Sequence, residues 1–277
     1  MKHKIALTAA LCIFTCTATW AAEPASVPVN IKNKGFITAG IMPNYPPMDF
    51  KDPATNQLTG VDYDLGMEIG KRLGVEIKWQ ETAFEQMVSS LVTQRLDIVL
   101  SGMTDTAERQ KTIDFVDYFK TGPQFYVLDS TKDVKEATDL CGKRVGTSRR
   151  TTFPAEIAKW SAQHCEASGK PAIIVVGTEG SADARAQLRQ ARVDSAVQGS
   201  ETLPYIQSQE PGAYRVIGEP LTVQLTGLGV AKSSSALSAA IVAALDAMIA
   251  DGTYGKILGK WGLSEGAVDK AQMNAGR

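Results

Sequence analysis

Apolar side chains follow two periods along this chain. Residues 36–41 and the alternating run 75–79 read as strands, whereas 63–73 sets Leu65, Ile69 and Leu73 at helical intervals before a glycine stop at Gly74. A second helix is predicted over 84–94, with Met87, Val88 and Leu91 on one face, leading into a strand at 96–100. This βαβαβ order predicts a parallel sheet with helices packed on it. The same order recurs downstream: strand 144–146, helix 154–165, strand 173–176, helix 182–191 and strand 193–197. Two similar units predict two lobes of one design. The C-terminal part adds a strand at 227–231, an apolar-faced helix over 235–250 and the short segment DGTYGKILGKWG. Ser233 to Ser235 can cap that helix and Gly252 can end it.

Between the first strand and the first helix, MPNYPPMDF carries Pro43, Pro46 and Pro47, which oppose a regular ladder and predict a stiff loop displaying Tyr45 and Phe50.

The first 21 residues place Lys2 and Lys4 before an apolar run and then small residues, the pattern of a secretory signal cut after Ala21. A mobile lead, 23–28, would follow it. A soluble exported protein is therefore expected. Without the signal the 277-residue chain has 27 basic against 30 acidic side chains and no block of like charge, which argues against nucleic-acid and polybasic membrane binding. Cys141 and Cys165 are the two cysteines left, and an oxidising compartment pairs them. His164 is the remaining histidine, so metal-ligand spacing is missing and no metal or cofactor is expected.

The stretch SGMTDTAER, 101–109, ends the predicted strand 96–100 with a glycine, hydroxyls and one arginine. Asp105 and Glu108 have the spacing of a helix cap, and ligands in open α/β sheets sit at the carboxyl ends of strands. Arg109 can then grip a carboxylate with two prongs, or lie on the surface paired with Asp105 or Asp114.

The segments GIMPNYPPMDF, TGVDYDLGMEIGKRLGV, LDIVLSGMTDTAERQKTIDF and ADGTYGKILGKWGL resemble, in order and over nearly the whole mature chain, the motifs of polar amino-acid-binding periplasmic proteins, family 3 of the solute-binding components of ABC importers. The resemblance implies an α/β, two-lobed periplasmic-binding-protein fold of type II, with two hinge strands and a ligand cleft between the lobes. It implies one lobe from 28–122 plus 225–277 and the other from 123–224. It also implies a periplasmic monomer that captures a small amino-acid-like or carboxylate-bearing solute and delivers it to a membrane permease.

Matched position by position, Tyr45 and Phe84 fall where the family packs aromatics on its ligand. Ser101, Gly102 and Thr104 fall where it hydrogen-bonds the carboxylate, and Arg109 falls at its carboxylate-binding arginine. Without the match, Tyr45 and Phe84 read as core aromatics, and Ser101 and Thr104 as partners of local backbone.

The second lobe departs from the pattern. In VDSAVQGSETLPY, Gly199 stands where the family has the aspartate that binds the ligand's α-ammonium. Glu201, two residues on, either reaches the site or starts a surface helix. In VGTSRRTTFP, Arg150 replaces the glycine before the family's threonine pair, Thr151 and Thr152. Thr152 is a candidate ligand contact, either threonine can cap the next helix, and Arg149 or Arg150 either enters the cleft or stays solvated. Losing an acid and gaining a base predict a ligand that carries a carboxylate but no conventionally placed α-ammonium, or a second acid. The enzymatic alternative is a periplasmic cyclohexadienyl (prephenate or arogenate) dehydratase on the same scaffold, with Glu201 as general acid. No histidine-backed nucleophile supports it, and a binding protein rather than an enzyme is expected.

Overall fold

Phe36 opens the first strand, and the alternation read from there onwards builds two main sheets. A computed structural model describes residues 27–277. The expected export signal, 1–21, lies outside the described residues.

The first sheet has six strands in the order Gln272–Met273, Ile113–Thr121, Gln224–Ala231, Ile98–Val99, Phe36–Ile41, Glu76–Glu81. Phe36–Ile41 is parallel to its neighbours Glu76–Glu81 and Ile98–Val99, and Gln224–Ala231 is antiparallel to Ile98–Val99 and Ile113–Thr121. Helices Val61–Leu73 and Ser235–Ala250 cover one face, burying Leu65, Ile69, Leu237, Ile241 and Leu245 against Ile98, Leu100 and Val116. Met87 and Leu91, from the short helix Met87–Val92, cover the other face with Phe115 and Ile113.

The second sheet runs Ile174–Thr178, Arg144–Ser148, Ser195–Gly199, Pro123–Leu128, Tyr214–Ile217; the first three strands are parallel and the last two antiparallel to their neighbours. Helix Phe153–His164 packs Phe153 and Ile157 on one face, and helix Ser181–Arg189 packs Ala184 and Leu188 on the other. A disulfide joins Cys141 to Cys165, with Cα atoms 5.5 Å apart, at the far end of helix Phe153–His164.

The chain passes between the sheets twice, at Gly122 and through 218–223. The two passages touch: a Cβ on Gly122 would lie 1.8 Å from the Thr222 carbonyl oxygen, so only glycine fits there. Two sheets, each with its own core and joined by these two passages of chain, form the two-lobed periplasmic-binding-protein fold.

Several elements differ from their predicted extent. The strand predicted over 96–100 makes ladder bonds only at Ile98–Val99, although Leu96 and Leu100 are buried, because the chain turns away into the 101–109 loop. The predicted helix 84–94 opens as a 3-10 turn, Phe84–Gln86. The proline-rich loop does form a small antiparallel sheet of Asn44–Tyr45, Asp49–Lys51 and Leu58–Thr59. Pro46 and Pro47 sit in the turn between the first two of these strands, where no ladder N–H is required. The strand predicted over 193–197 ends two residues later, so Gly199 is its last residue.

Candidate functional site

The loop after Ile98–Val99 turns on its own hydroxyls. Thr106, not Asp105, caps the four-residue helix Ala107–Gln110: its Oγ1 accepts from the Arg109 N–H at 3.2 Å. Asp105 is instead buried, accepting from Gln110 Nε2 at 2.8 Å and from the Gly276 N–H at 2.7 Å. Asp114 holds Lys232 at 2.7 Å. Both acids that a surface arginine would have used are thus engaged, and Arg109 makes no ion pair among the described residues. Its Nη1 donates to the Thr104 carbonyl at 2.7 Å, and its guanidinium lies 5.5 Å from the centre of the Phe84 ring. Burial lowers the pKa of Arg109, the mark of a cation partly stripped of water, with Asp105 opposing the shift. An anion docking there would restore what desolvation removed.

Behind Ser101 and Gly102 lie two buried acids. Ser101 Oγ accepts from the Met42 N–H at 3.0 Å and donates to Asp49 Oδ2 at 3.1 Å. The Gly102 N–H donates to Asp62 Oδ2 at 2.7 Å, and the Tyr118 hydroxyl donates to Asp62 Oδ1 at 2.5 Å. The polar groups of Ser101 and Gly102 are therefore turned to the interior. Asp49 and Asp62 are both fully buried. Burial, reinforced by Asp62, pushes Asp49 well above the usual carboxylate range; burial pushes Asp62 up to about 6, against the donors Tyr118 and Gly102. Gly102 has φ +55°, and a Cβ there would come 3.2 Å from the Tyr45 ring, so glycine also lets that ring approach.

Tyr45 crosses the cleft. Its hydroxyl donates to Glu201 Oε1 at 2.8 Å and accepts from the Gly199 N–H at 3.2 Å. The other Glu201 oxygen accepts from the Thr121 hydroxyl on the passage between lobes. Glu201 is 7% exposed, so it does not lie on a surface helix. A Cβ built on Gly199 would stand 2.3 and 2.4 Å from the two Glu201 carboxylate oxygens and 2.4 Å from the Tyr45 oxygen. The volume a side chain at 199 would need is filled by the Glu201 carboxylate. Burial raises the pKa of Glu201, partly offset by the Thr121 hydroxyl.

On the opposite wall, Arg150 reaches from the second lobe to the Glu85 carboxylate of the first, and both lie at the cavity's rim. Arg149 turns to Glu179, at 3.1 Å. Thr152 Oγ1 donates to Gln224 Oε1 at 3.2 Å and does not line the cavity. Thr151 lines it instead, and its Oγ1 accepts from the Phe153 N–H at 3.2 Å.

One cavity thus gathers Tyr45, Phe84, Ser101, Gly102, Thr104, Arg109 and Arg150, with Gly199 and Glu201 just behind the Tyr45 hydroxyl. It also takes in Met42, Asn44, Ser148, Phe153, Glu179, Gly180 and Ser181, which were not read from the sequence. Ser148 ends one parallel strand and the 179–181 turn follows its neighbour, so the strand-end rule applied to the second sheet finds them.

Comparison with protein families matches residues 37–264 to the bacterial extracellular solute-binding proteins, family 3. The arginine-binding protein ArgT of Corynebacterium glutamicum is 30% identical over 250 residues, covering 90% of this chain and 82% of that one. The histidine-binding periplasmic protein of Salmonella typhimurium is 28% identical over 94% of this chain and 96% of its own length. Among solved structures, a mutant of ArgBP from T. maritima superposes with a TM-score of 0.74 at 30% identity, over 84% of this chain and 97% of that one. An ancestral arginine-binding protein bound to arginine gives 0.72 at 31% identity, over 82% and 98%. With a family match spanning residues 37–264 and a two-lobed fold, the chain belongs to the bacterial extracellular solute-binding proteins of family 3.

Proposed function

We propose that this protein captures a free α-amino acid in the periplasm, as a monomer, and presents it in the closed form to the membrane permease of an ABC importer. Arg109 takes the α-carboxylate and Glu201 takes the α-ammonium in place of the missing aspartate at 199. The observation that carries the reading is the position of the Glu201 carboxylate, within 2.4 Å of where a Cβ on Gly199 would be. An acid thus stands in the volume that the family gives to its ammonium-binding side chain. The Tyr45 and Thr121 hydroxyls hold that carboxylate. An arriving ammonium would draw it into an ion pair and favour its charged form. The amino-acid names of the relatives support the same class of ligand.

In this reading residues 28–122 with 225–277 move against 123–224, closing about the contact between Gly122 and Thr222. Closure needs contacts made only in the closed form, since a ligand that binds both forms equally cannot shift their populations.

A thermal-shift screen of ligand-stripped protein tests the proposal, using free amino acids beside their N-acetyl derivatives and keto-acids. A hundredfold excess over Kd stabilises by about 2.7 kcal/mol, well within detection. Free amino acids should stabilise and N-acetyl forms should not. Stabilisation only by acids without a free amine would replace Glu201's role with the ligand class expected from the sequence. The burial that raises the pKa of Glu201 also suits the dehydratase alternative, and release of phenylpyruvate from prephenate, lost in Glu201→Gln, would establish it.

A further inference from the structure

The side-chain end of the cavity carries its own charge logic. Its lining includes two acids, Glu85 and Glu179. Each is matched by an arginine of the second lobe: Arg150 for Glu85, across the cleft, and Arg149 for Glu179, at 3.1 Å. Among the described residues, Arg109 alone of these arginines makes no ion pair. These five groups therefore sum to one net positive charge, which the carboxylate of a bound amino acid cancels. No acid in the lining is then left over for a second cation.

Resting on the amino-acid reading above, we propose that Arg150 is a specificity-determining residue: by neutralising Glu85 at the rim it restricts the site to amino acids with uncharged side chains and excludes lysine and arginine. A cationic side chain extending from the Arg109–Glu201 frame toward Glu85 meets the Arg150 guanidinium on the same carboxylate. It must displace that arginine or lie beside it. Either way a positive charge is placed near another in a cavity that closure dries, where like charges repel more strongly than in water. A neutral side chain meets no such cost. The rest of the lining suits one: Met42, Phe84 and Phe153 offer apolar surface, and Asn44, Ser148 and Ser181 offer uncharged polar groups.

The pair is half-exposed, with side-chain exposures of 47% for Arg150 and 40% for Glu85, so its loss does not threaten folding. Its effect on selectivity comes from charge balance in the cavity rather than from the strength of the pair itself.

Isothermal titration of wild type, Arg150→Ala and Glu85→Gln/Arg150→Ala with the neutral standard L-amino acids, L-lysine and L-arginine tests this. Wild type should bind its best neutral amino acid at least tenfold more tightly than lysine or arginine. Arg150→Ala, which frees Glu85, should narrow that ratio at least tenfold. The double variant, with no free acid, should bring the discrimination back. Wild type that binds lysine or arginine as tightly as neutral amino acids overturns the inference, as does an unchanged ratio in Arg150→Ala. A double variant that also admits cations overturns it too, because space rather than charge would then be responsible. In those three outcomes neutral amino-acid binding survives and the amino-acid reading stands; no binding of any amino acid by wild type overturns both.

Discussion

The Tyr45 hydroxyl donates to Glu201 Oε1 at 2.8 Å, linking two residues 156 positions apart and on opposite lobes. The contact exists because residue 199 has no side chain: a Cβ there would lie 2.4 Å from the same hydroxyl oxygen. In the proposed reading, glycine at 199 and glutamate at 201 together relocate one acid. Gly199→Asp alone should crowd Glu201 and weaken amino-acid binding at least tenfold. Gly199→Asp with Glu201→Ala clears that volume and restores the acid at the family position, so affinity should return to within about tenfold of wild type, roughly 1.4 kcal/mol. Calorimetric titration of both variants checks this, and equal losses in the two would contradict it.

Much of this was legible in the sequence, and the gaps have physical causes. Helix 235–250 and strand 36–41 match their predicted extents from apolar periodicity, although the expected serine cap is not made: the Ser234 side chain accepts no capping hydrogen bond. The Arg109 locus was legible once its motif was recognised. Spacing alone did not separate it from a surface arginine, since that depends on Asp105 and Asp114 being engaged by Gly276 and Lys232, far away in the chain. Spacing does not separate Thr152 from Thr151 for a similar reason: Gln224, which draws the Thr152 hydroxyl away, lies 72 residues on. Glu201 was left open because residues two apart share a face only within a strand, and the strand ends at Gly199.

The C-terminal residues tie down the acids behind the Arg109 turn. The Ala275 N–H donates to Asp117 Oδ2 at 3.0 Å and the Gly276 N–H to Asp105 Oδ2 at 2.7 Å. Removing 272–277 would strip both buried carboxylates of a donor, at a cost of roughly 1–3 kcal/mol each. A urea unfolding midpoint clearly below that of wild type is expected. An unchanged midpoint would mean the tail carries no such load.

Burial, with Asp105 nearby and Ala275 opposing, pushes Asp117 up to about 7. An acid whose folded pKa exceeds its unfolded value of about 4 holds its proton more tightly when folded. Its contribution is complete below the unfolded pKa and is lost as pH rises through the folded one. Between about pH 4 and 7 wild type should therefore lose more thermal stability than Asp117→Asn, which cannot titrate. Parallel melting curves across that range would contradict this.

Cys141→Ser/Cys165→Ser opens a link of sequence separation 24 and should lower unfolding free energy by about 3 kcal/mol through chain entropy. Amino-acid affinity should stay within about twofold, because the 12-residue helix Phe153–His164 puts the disulfide roughly 18 Å from the end that meets the cleft. A large loss of affinity in a folded variant would mean the disulfide shapes the site.

The most direct test of the amino-acid account is calorimetric titration of Arg109→Ala and Glu201→Gln beside wild type, with the tightest-binding free amino acid and its N-acetyl derivative. Each variant should keep its fold and bind the free amino acid about a hundredfold more weakly, roughly 3 kcal/mol, as expected for removing one partner of a desolvated charge pair. Wild type should reject the N-acetyl form. Unchanged affinity in Arg109→Ala, or equal binding of free and N-acetylated ligand by wild type, would contradict the assignment of carboxylate to Arg109 and ammonium to Glu201.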